Sequence, residues 1–483
     1  MDLFQLIVSF ILFANIVLAI FTVFREKRDI AATWAWLLVL VLIPVLGFII
    51  YLFLGRKISK NQIFDIQSQE AIGVPQLVEA QKKLIDEDNF DLPESRYVDK
   101  TMEMVNLFLE SSAAVLTKGN QVDILDDGKL KFEQLIKDID TAQDHVHLTY
   151  YIFRADKIGR KLLHALEKRA EQGVKVKILY DPLGAKVLGN DFFDRLTQLG
   201  GKAEPFFGSP FLLLNLRLNY RNHRKIVIID GKIGYTGGFN VGDDYLGEYE
   251  KMGYWRDTHL RIEGNGVLQL QTRFLMDWNA SVKKHKMNYD LNYFPVAPLK
   301  GSTDLQIVSS GPDSELQAIK KGFLKMISMA KNTVYIQTPY FVPDESVIET
   351  LEVALLSGID VKLMIPNKPD HPFIYRATLY YAAELVKKGG EVYIYDNGFL
   401  HSKTIMIDGE ISSVGTANFD IRSFKLNFEV NTFIYDRKLT KKLEKLFFED
   451  RENSYLLTVD MIDNFSLWES FKQKASRLLS PVL

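Results

Sequence analysis

The chain predicts an α/β protein of two pseudo-symmetric αβ lobes packed as an intramolecular pseudo-dimer and preceded by two transmembrane helices. Three observations carry this. At 483 residues the chain exceeds one ordinary core. Its later part repeats itself once, at an offset of roughly 180 to 190 residues. Two apolar runs long enough to cross a bilayer open the sequence.

Taken in order, Leu3 to Phe24 carries no charge, and Ala31 to Gly55 repeats this after the break Arg25-Glu26-Lys27-Arg28-Asp29. Each run suffices for ~30 Å of hydrocarbon, so residues 1–60 are expected to hold two spans at about 3–24 and 31–55. A cleaved signal peptide is disfavoured, because a basic leading region and an A-x-A-like site are missing and a second run follows at once. Trp34, Trp36 and Tyr51 stand near the ends of the second run, where amphipathic rings favour the headgroup layer, and Pro44 and Gly47 would kink it or let it dip and return. Arg25, Lys27 and Arg28 balance Arg56, Lys57 and Lys60, so charge does not orient the pair. Residues 61–116 read as a polar linker with leading helices.

The two lobes are expected at 117–295 and 296–483. Each opens with an apolar strand, Val146 to Phe153 and Thr333 to Phe341. A helix then stops at Gly173 or Gly358 and a β-branched strand follows, which implies α/β units with parallel pairing. A second helix stops at Gly200-Gly201 and at Gly389-Gly390. Two copies suit a closed pseudo-dimer better than a solenoid.

Composition narrows the chemistry. With 59 basic and 61 acidic residues the chain is not built to blanket a polyanion, so no nucleic-acid partner is expected. Without cysteine there is no disulfide, thiolate nucleophile or Cys-ligated metal, and catalysis must run on His, Lys, Ser or carboxylates.

Each lobe carries the same punctuated string. The first reads Asn222-His223-Arg224-Lys225, four β-propensive residues, Asp230-Gly231, then Gly237-Gly238-Phe239-Asn240. The second reads His401-Ser402-Lys403, four more, Asp408-Gly409, then Gly415-Thr416-Ala417-Asn418. The pattern suggests a strand running into a tight turn, with His and Lys on one face and Asp on the other or in the turn. A phosphodiester needs fixed donors on its non-bridging oxygens, which Lys225, Lys403, Asn240, Asn418 and glycine-rich backbone would supply. It also needs a nucleophile and a leaving-group acid on opposite sides of phosphorus, and His223 and His401 together provide both near neutral pH. Such a site requires no metal and no cofactor. A nucleophilic imidazole needs its other nitrogen held by a carboxylate. Asp257, 34 residues after His223, and Glu429, 28 after His401, are the candidates.

These paired motifs resemble the phospholipase D superfamily. The two-run N-terminus with Ala35-Trp36 and Pro44-x-x-Gly47, the string Asn219-Tyr220-Arg221-Asn222-His223-Arg224-Lys225 and Trp255-Arg256-Asp257 are similar to bacterial cardiolipin synthases. The resemblance spans nearly the whole chain. It implies condensation of two phosphatidylglycerol molecules into cardiolipin and glycerol through a phosphatidyl-histidine, without metal or nucleotide. It implies His223 as nucleophile, His401 as acid and base, Asp257 and Glu429 as histidine-orienting groups, and structural roles for the motif residues Asp230 and Asp408. The expected location is the bacterial plasma membrane, multi-pass, with cytoplasmic catalytic lobes. The expected partners are phosphatidylglycerol and membrane lipid. The second copy departs from the common pattern with Gly415-Thr416 where Gly-Ser is usual, which keeps the hydroxyl.

Blander readings stand beside these. His145 and His147 alternate on a strand, but no third ligand recurs at metal spacing, and a structural role is favoured. Tyr150, Tyr151, Tyr340 and Phe341 fit core or rim packing better than acyl-chain contact. The apolar stretch Phe206 to Leu214 is either buried or a lipid contact, and Ser466 to Leu483 reads as a docked end helix. A hydrolytic phospholipase D or nuclease is the alternative enzyme, and a non-catalytic membrane scaffold the third class.

Overall fold

A computed structural model describes residues 3–25, 30–43, 46–47, 50–51, 73–87, 98–189, 191–208, 219–249, 252–296 and 298–478. The chain forms two compact units, Met1–Ser59 with Phe207–Tyr220, and Lys60–Phe206 with Arg221–Leu483.

In the first unit, helix α1 covers Leu3–Arg25 and α2 covers Ile30–Leu42. Both are apolar on all sides, as expected of helices that do not face water along one stripe. Tyr51 is buried and meets the edge of Trp36 at 5.4 Å. Counted over the described residues alone, no helix is long and apolar enough to cross a membrane. Pro44 and the basic residues 56, 57 and 60 lie outside the described residues, as do positions 209–214 of the apolar stretch.

The second unit begins with α3 (Val74–Asp86) and α4 (Val98–Ser112). Both lie in the stretch read as a linker with leading helices. From α4, Met104, Val105, Phe108 and Leu109 are buried in the core of the second half, with Phe108 against Phe433 at 4.3 Å. The Gln306 amide donates to the carbonyls of Val105 and Ala114, fixing the helix end.

Strands of the first half are β1 (Thr117–Leu125), β2 (His145–Tyr150), β3 (Lys175–Tyr180), β4 (Lys202–Pro205), β5 (Arg221–Asn222), β6 (Ile226–Ile229), β7 (Ile233–Gly237), β8 (Trp255–Arg256) and β9 (His259–Glu263). The second half contributes β10 (Thr303–Ser310), β11 (Thr333–Gln337), β12 (Phe341–Val342), β13 (Asp360–Pro366), β14 (Glu391–Tyr395), β15 (Phe399–Leu400), β16 (Thr404–Ile407), β17 (Ile411–Gly415), β18 (Phe419–Asp420), β19 (Asn427–Tyr435) and β20 (Ser454–Leu456). One sheet runs β20-β14-β13-β11-β16-β17-β19-β10-β1-β9-β7-β6-β2-β3-β4. Read outward from the antiparallel β1–β10 pair, the halves mirror each other strand for strand, apart from the extra edge strand β20. The expected pseudo-dimer is therefore one continuous sheet.

Along this run, pairing is parallel in the outer parts, β2-β3-β4 and β11-β13-β14, where helices return the chain. The inner strands form an antiparallel meander, because tight turns such as Asp230-Gly231 leave no length for a crossover. Helices α5 (Gly128–Ile139) and α6 (Lys157–Glu171) are capped by Asp127 and Asp156, whose side chains accept backbone N–H groups. Gly173 and Gly358 end matching helices with φ of 90° and 81°, a conformation that favours glycine. The second helices differ: α7 (Asp194–Gln198) has 5 residues, whereas its counterpart α11 (Pro372–Lys387) has 16. Between them run α8 (Gly266–Ser281), α9 (Ala318–Met329) and α10 (Glu345–Leu356), and after them α12 (Ile421–Lys425), α13 (Arg437–Arg451), α14 (Val459–Asp463) and α15 (Leu467–Leu478).

Candidate active site

The short strands β5 and β8 decide where the histidines go. β5 pairs in parallel with the start of β19, Arg221 opposite Asn427, and β8 pairs with β15, Trp255 opposite Phe399. Each short strand thus joins the opposite half, and the pairing continues into the motif. The His223 N–H donates to the Phe428 carbonyl at 2.9 Å, and the His401 N–H to the Arg256 carbonyl at 2.7 Å. His223 to Lys225 and His401 to Lys403 are consequently not on a regular strand. They are the irregular residues that carry the backbone from the crossing pair into β6 and β16.

The same crossing sets the carboxylates. His223 Nδ1 lies 3.0 Å from both oxygens of Glu429, and His401 Nδ1 lies 2.5 Å from Asp257. Both candidates lie within hydrogen-bond distance of a histidine, in each case the histidine of the other half. Sequence left open which histidine each carboxylate meets; the crossing of β5 and β8 sets it. An ionised carboxylate accepts only, so the proton sits on Nδ1 and Nε2 keeps its lone pair.

Glu429 is itself fixed, accepting from the Thr416 hydroxyl at 2.5 Å and the Asn427 amide at 3.2 Å. Burial alone would raise its pKa, but His223, Lys225 and Thr416 outweigh it and hold it below the usual carboxylate range. Asp257 takes the Thr258 N–H at 2.7 Å. It fits because residue 238, the counterpart of Thr416, is glycine: a Cβ there would lie 1.9 Å from Asp257 Oδ1.

Both lysines are buried, and each Nζ donates to the carbonyl of the histidine two residues earlier, at 2.6 Å for Lys225 and 2.5 Å for Lys403. Burial lowers Lys225 to about 7 and Lys403 to about 8, and the charge of Lys403 also pushes Lys225 down. Burial and Lys403 lower His401 to about 3, and burial also lowers His223 against the opposing charge of Glu429. Both imidazoles are therefore neutral at pH 7. Rings flank them: Tyr151 lies 5.1 Å from His223, and Trp255 lies 5.1 Å from His401.

Other expected residues are placed as follows. Asp230 and Asp408 sit at the far ends of β6 and β16, in turns with φ of 51° and 54°. Asp230 accepts the N–H groups of Gln143, Asp144 and His145 at 2.8 to 2.9 Å, and Asp408 those of Lys331, Asn332 and Thr333 at 2.7 to 2.8 Å. They tie the turn to the start of β2 and β11 and touch no histidine of the site. Asn240 accepts from the Ile152 N–H and donates to the Tyr245 hydroxyl, while Asn418 donates to Asp420. Both amides are thus held by the protein from behind. His147 stacks on Phe274 at 4.6 Å and His145 bonds Asp144 at 2.8 Å, as packing residues do. Among the described residues no group of three His, Cys, Asp or Glu side chains could hold a metal ion.

Sequence reasoning missed the scaffold behind the motif. Arg224 Nη1 donates to both oxygens of Asp277, at 2.8 and 3.0 Å, and Arg256 binds Asp450 at 2.8 Å across the halves. Arg224 and Arg256 each adjoin a named site residue, which was the available signal.

A mixed sheet with duplicated His/Lys strings and reciprocal carboxylates defines the phospholipase D-like class. The family model described as cardiolipin synthase, PLD-like domain, matches residues 135–278 and 323–451, and the phospholipase D-nuclease N-terminal model matches residues 13–56. The cardiolipin synthase of Listeria innocua is 52% identical over 483 residues, all of both chains, and the major cardiolipin synthase ClsA of Bacillus subtilis is 50% identical over the same extent. In fold the chain is similar to the phosphatidylserine synthase of Haemophilus influenzae, with a TM-score of 0.60 at 15% identity, covering 80% of this chain and 100% of that one. The chain belongs to the cardiolipin synthase family.

Proposed function

We propose that this phosphatidyltransferase moves a phosphatidyl group from one phosphatidylglycerol to another, giving cardiolipin and glycerol through a phosphatidyl-histidine. Cardiolipin synthesis is the activity of full-length relatives at about 50% identity. In the first step His223 Nε2 attacks phosphorus, the bond from phosphorus to the glycerol oxygen breaks, and His401 gives that oxygen a proton. In the second, His401 takes the proton of the acceptor's headgroup hydroxyl, whose oxygen attacks phosphorus and expels His223. Lys225 and Lys403 hold the non-bridging oxygens where charge accumulates.

The observation that carries this reading is the reciprocal pairing of each imidazole with the opposite half's carboxylate. It gives two imidazoles each held at Nδ1 with Nε2 left for reaction, as attack and departure on one phosphorus require. We also assign the N-terminal unit as the anchor in the bacterial plasma membrane, with cytoplasmic lobes. α1 supports this, with no charge from Leu3 to Phe24.

The test supplies phosphatidylglycerol as the only phospholipid, with chelator, to wild type, His223→Ala and His401→Ala. Cardiolipin from wild type and none from either variant is expected. Phosphatidic acid as the sole product would mean hydrolysis, and cardiolipin from both variants would end the two-histidine mechanism.

A further inference from the structure

Helix α15 is turned inside out. Its buried residues are Gln473 and Ser476, whereas Leu467 is 92% exposed, Leu478 80%, Trp468 64% and Phe471 59%. Leu467, Phe471 and Leu478 follow i, i+4, i+11 spacing and share one outward face. A soluble end helix would put those side chains against the protein; here polar residues and two side-chain contacts do the docking. Glu469 pairs with Arg376 of α11 at 3.4 Å, and Arg477 donates to Tyr380 of α11 at 3.0 Å.

We propose that α15 lies in the surface of an anionic bilayer, its Leu467-Phe471-Leu478 face among the acyl chains and its basic flank at the headgroups. Trp468 and Phe471 stack at 5.5 Å, and the Lys472 ammonium stands 5.6 Å from the Trp468 ring, an arrangement suited to the layer between acyl chain and phosphate. Lys472, Lys474 and Arg477 against the one acid Glu469 give the helix two net positive charges. That surplus selects the occupant. A second copy meeting the face would bring the same positive charges together, whereas anionic lipid neutralises them. The position is also useful. α11, on which α15 rests, begins two residues after Asp370, whose carboxylate accepts from Tyr340 and whose charge acts on Lys403. One helix therefore separates the proposed lipid face from the second motif.

The inference goes beyond the assignment of the site and does not depend on which phosphodiester is turned over. The chain has no cysteine, so Phe471→Cys in the full-length protein takes a single environment-sensitive fluorophore, and Lys445→Cys on exposed α13 is the control. Reconstituted in vesicles of phosphatidylcholine with phosphatidylglycerol, the label at 471 should shift to the blue. Brominated acyl chains should quench it by roughly half. Both effects should weaken in phosphatidylcholine alone, and the label at 445 should show neither. Emission at 471 matching that at 445 would overturn the proposal. So would a blue shift that brominated lipid does not quench, because protein would then cover the face. Turnover is not needed for the readout, so failure here leaves the assigned reaction untouched, and failure of the reaction leaves this result readable.

Discussion

Replacing Glu429 with Gln and Asp257 with Asn, one at a time, separates the two histidines. Each amide keeps the shape and the oxygen that accepts from Nδ1, and removes only the charge. By the crossed contacts, Glu429→Gln weakens His223 and Asp257→Asn weakens His401. A charge-assisted hydrogen bond is worth about 1.5–3 kcal/mol, or roughly 10- to 150-fold in rate. If the amide also turns its NH₂ toward the ring and forces the other tautomer, the loss approaches about 10⁴-fold, as in the Ser-His-Asp triad. The assay uses a phosphodiester lipid with a nitrophenol leaving group, which departs without an acid. Asp257→Asn should then keep a rapid burst of nitrophenolate and lose the slower turnover, because the attacking His223 is intact while the base for the acceptor is damaged. Glu429→Gln should lose the burst itself, by about 10²-fold or more. The opposite pattern would refute the combined assignment of crossed pairing and of His223 as nucleophile.

Further outcomes are expected. Gly238→Ala puts a Cβ 1.9 Å from Asp257 Oδ1, so it should cost as much activity as Asp257→Asn; wild-type turnover would show that the carboxylate does not need that space. Because a lysine is cationic below its pKa, kcat/KM should fall as pH rises through about 7 to 8, where Lys225 and Lys403 lose charge; a flat profile through pH ~9.5 would contradict this. Asp230→Ala frees three backbone N–H groups and leaves alanine at φ 51°, so thermal unfolding should show about 2–4 kcal/mol lost with kcat of the folded enzyme little changed. A fall in kcat at unchanged stability would give it a role in the chemistry instead. The exchange swaps one phosphodiester for another, so added glycerol should lower cardiolipin yield, and yields indifferent to it would count against simple exchange.

Much of this was legible in the chain because duplication doubles every local signal. A single His-x-Lys-x4-Asp could be accidental; two, each followed by Asn at the same distance, located His223, Lys225, His401 and Lys403 before any fold was known. Helix stops at Gly173 and Gly358 were equally readable, since a left-handed residue leaves a chemical mark. The crossed carboxylates were not. Asp257 and Glu429 could be named, but their partners are set by β5 and β8, strands of two residues with no periodicity to detect. The place of α4 in the second half's core was hidden for a related reason, as its apolar side chains say that it packs but not on which lobe.

The crossed wiring also bears on proton supply. With no substrate bound, two carboxylates balance at most two lysines, and one of those is held near pKa 7, so the site has no reason to keep a protonated imidazole. An entering phosphodiester adds a negative charge, which favours the protonated form of whichever basic groups face it. On the proposed mechanism Lys225 and Lys403 then complete their charge, and one histidine gains its acid proton when there is a bond for it to break. Had each histidine been held by a carboxylate of its own half, either lobe alone could assemble a held imidazole. Because Glu429 and Asp257 cross over, neither imidazole has its carboxylate until the two lobes share one sheet, so the proposed nucleophile and its acid would form together.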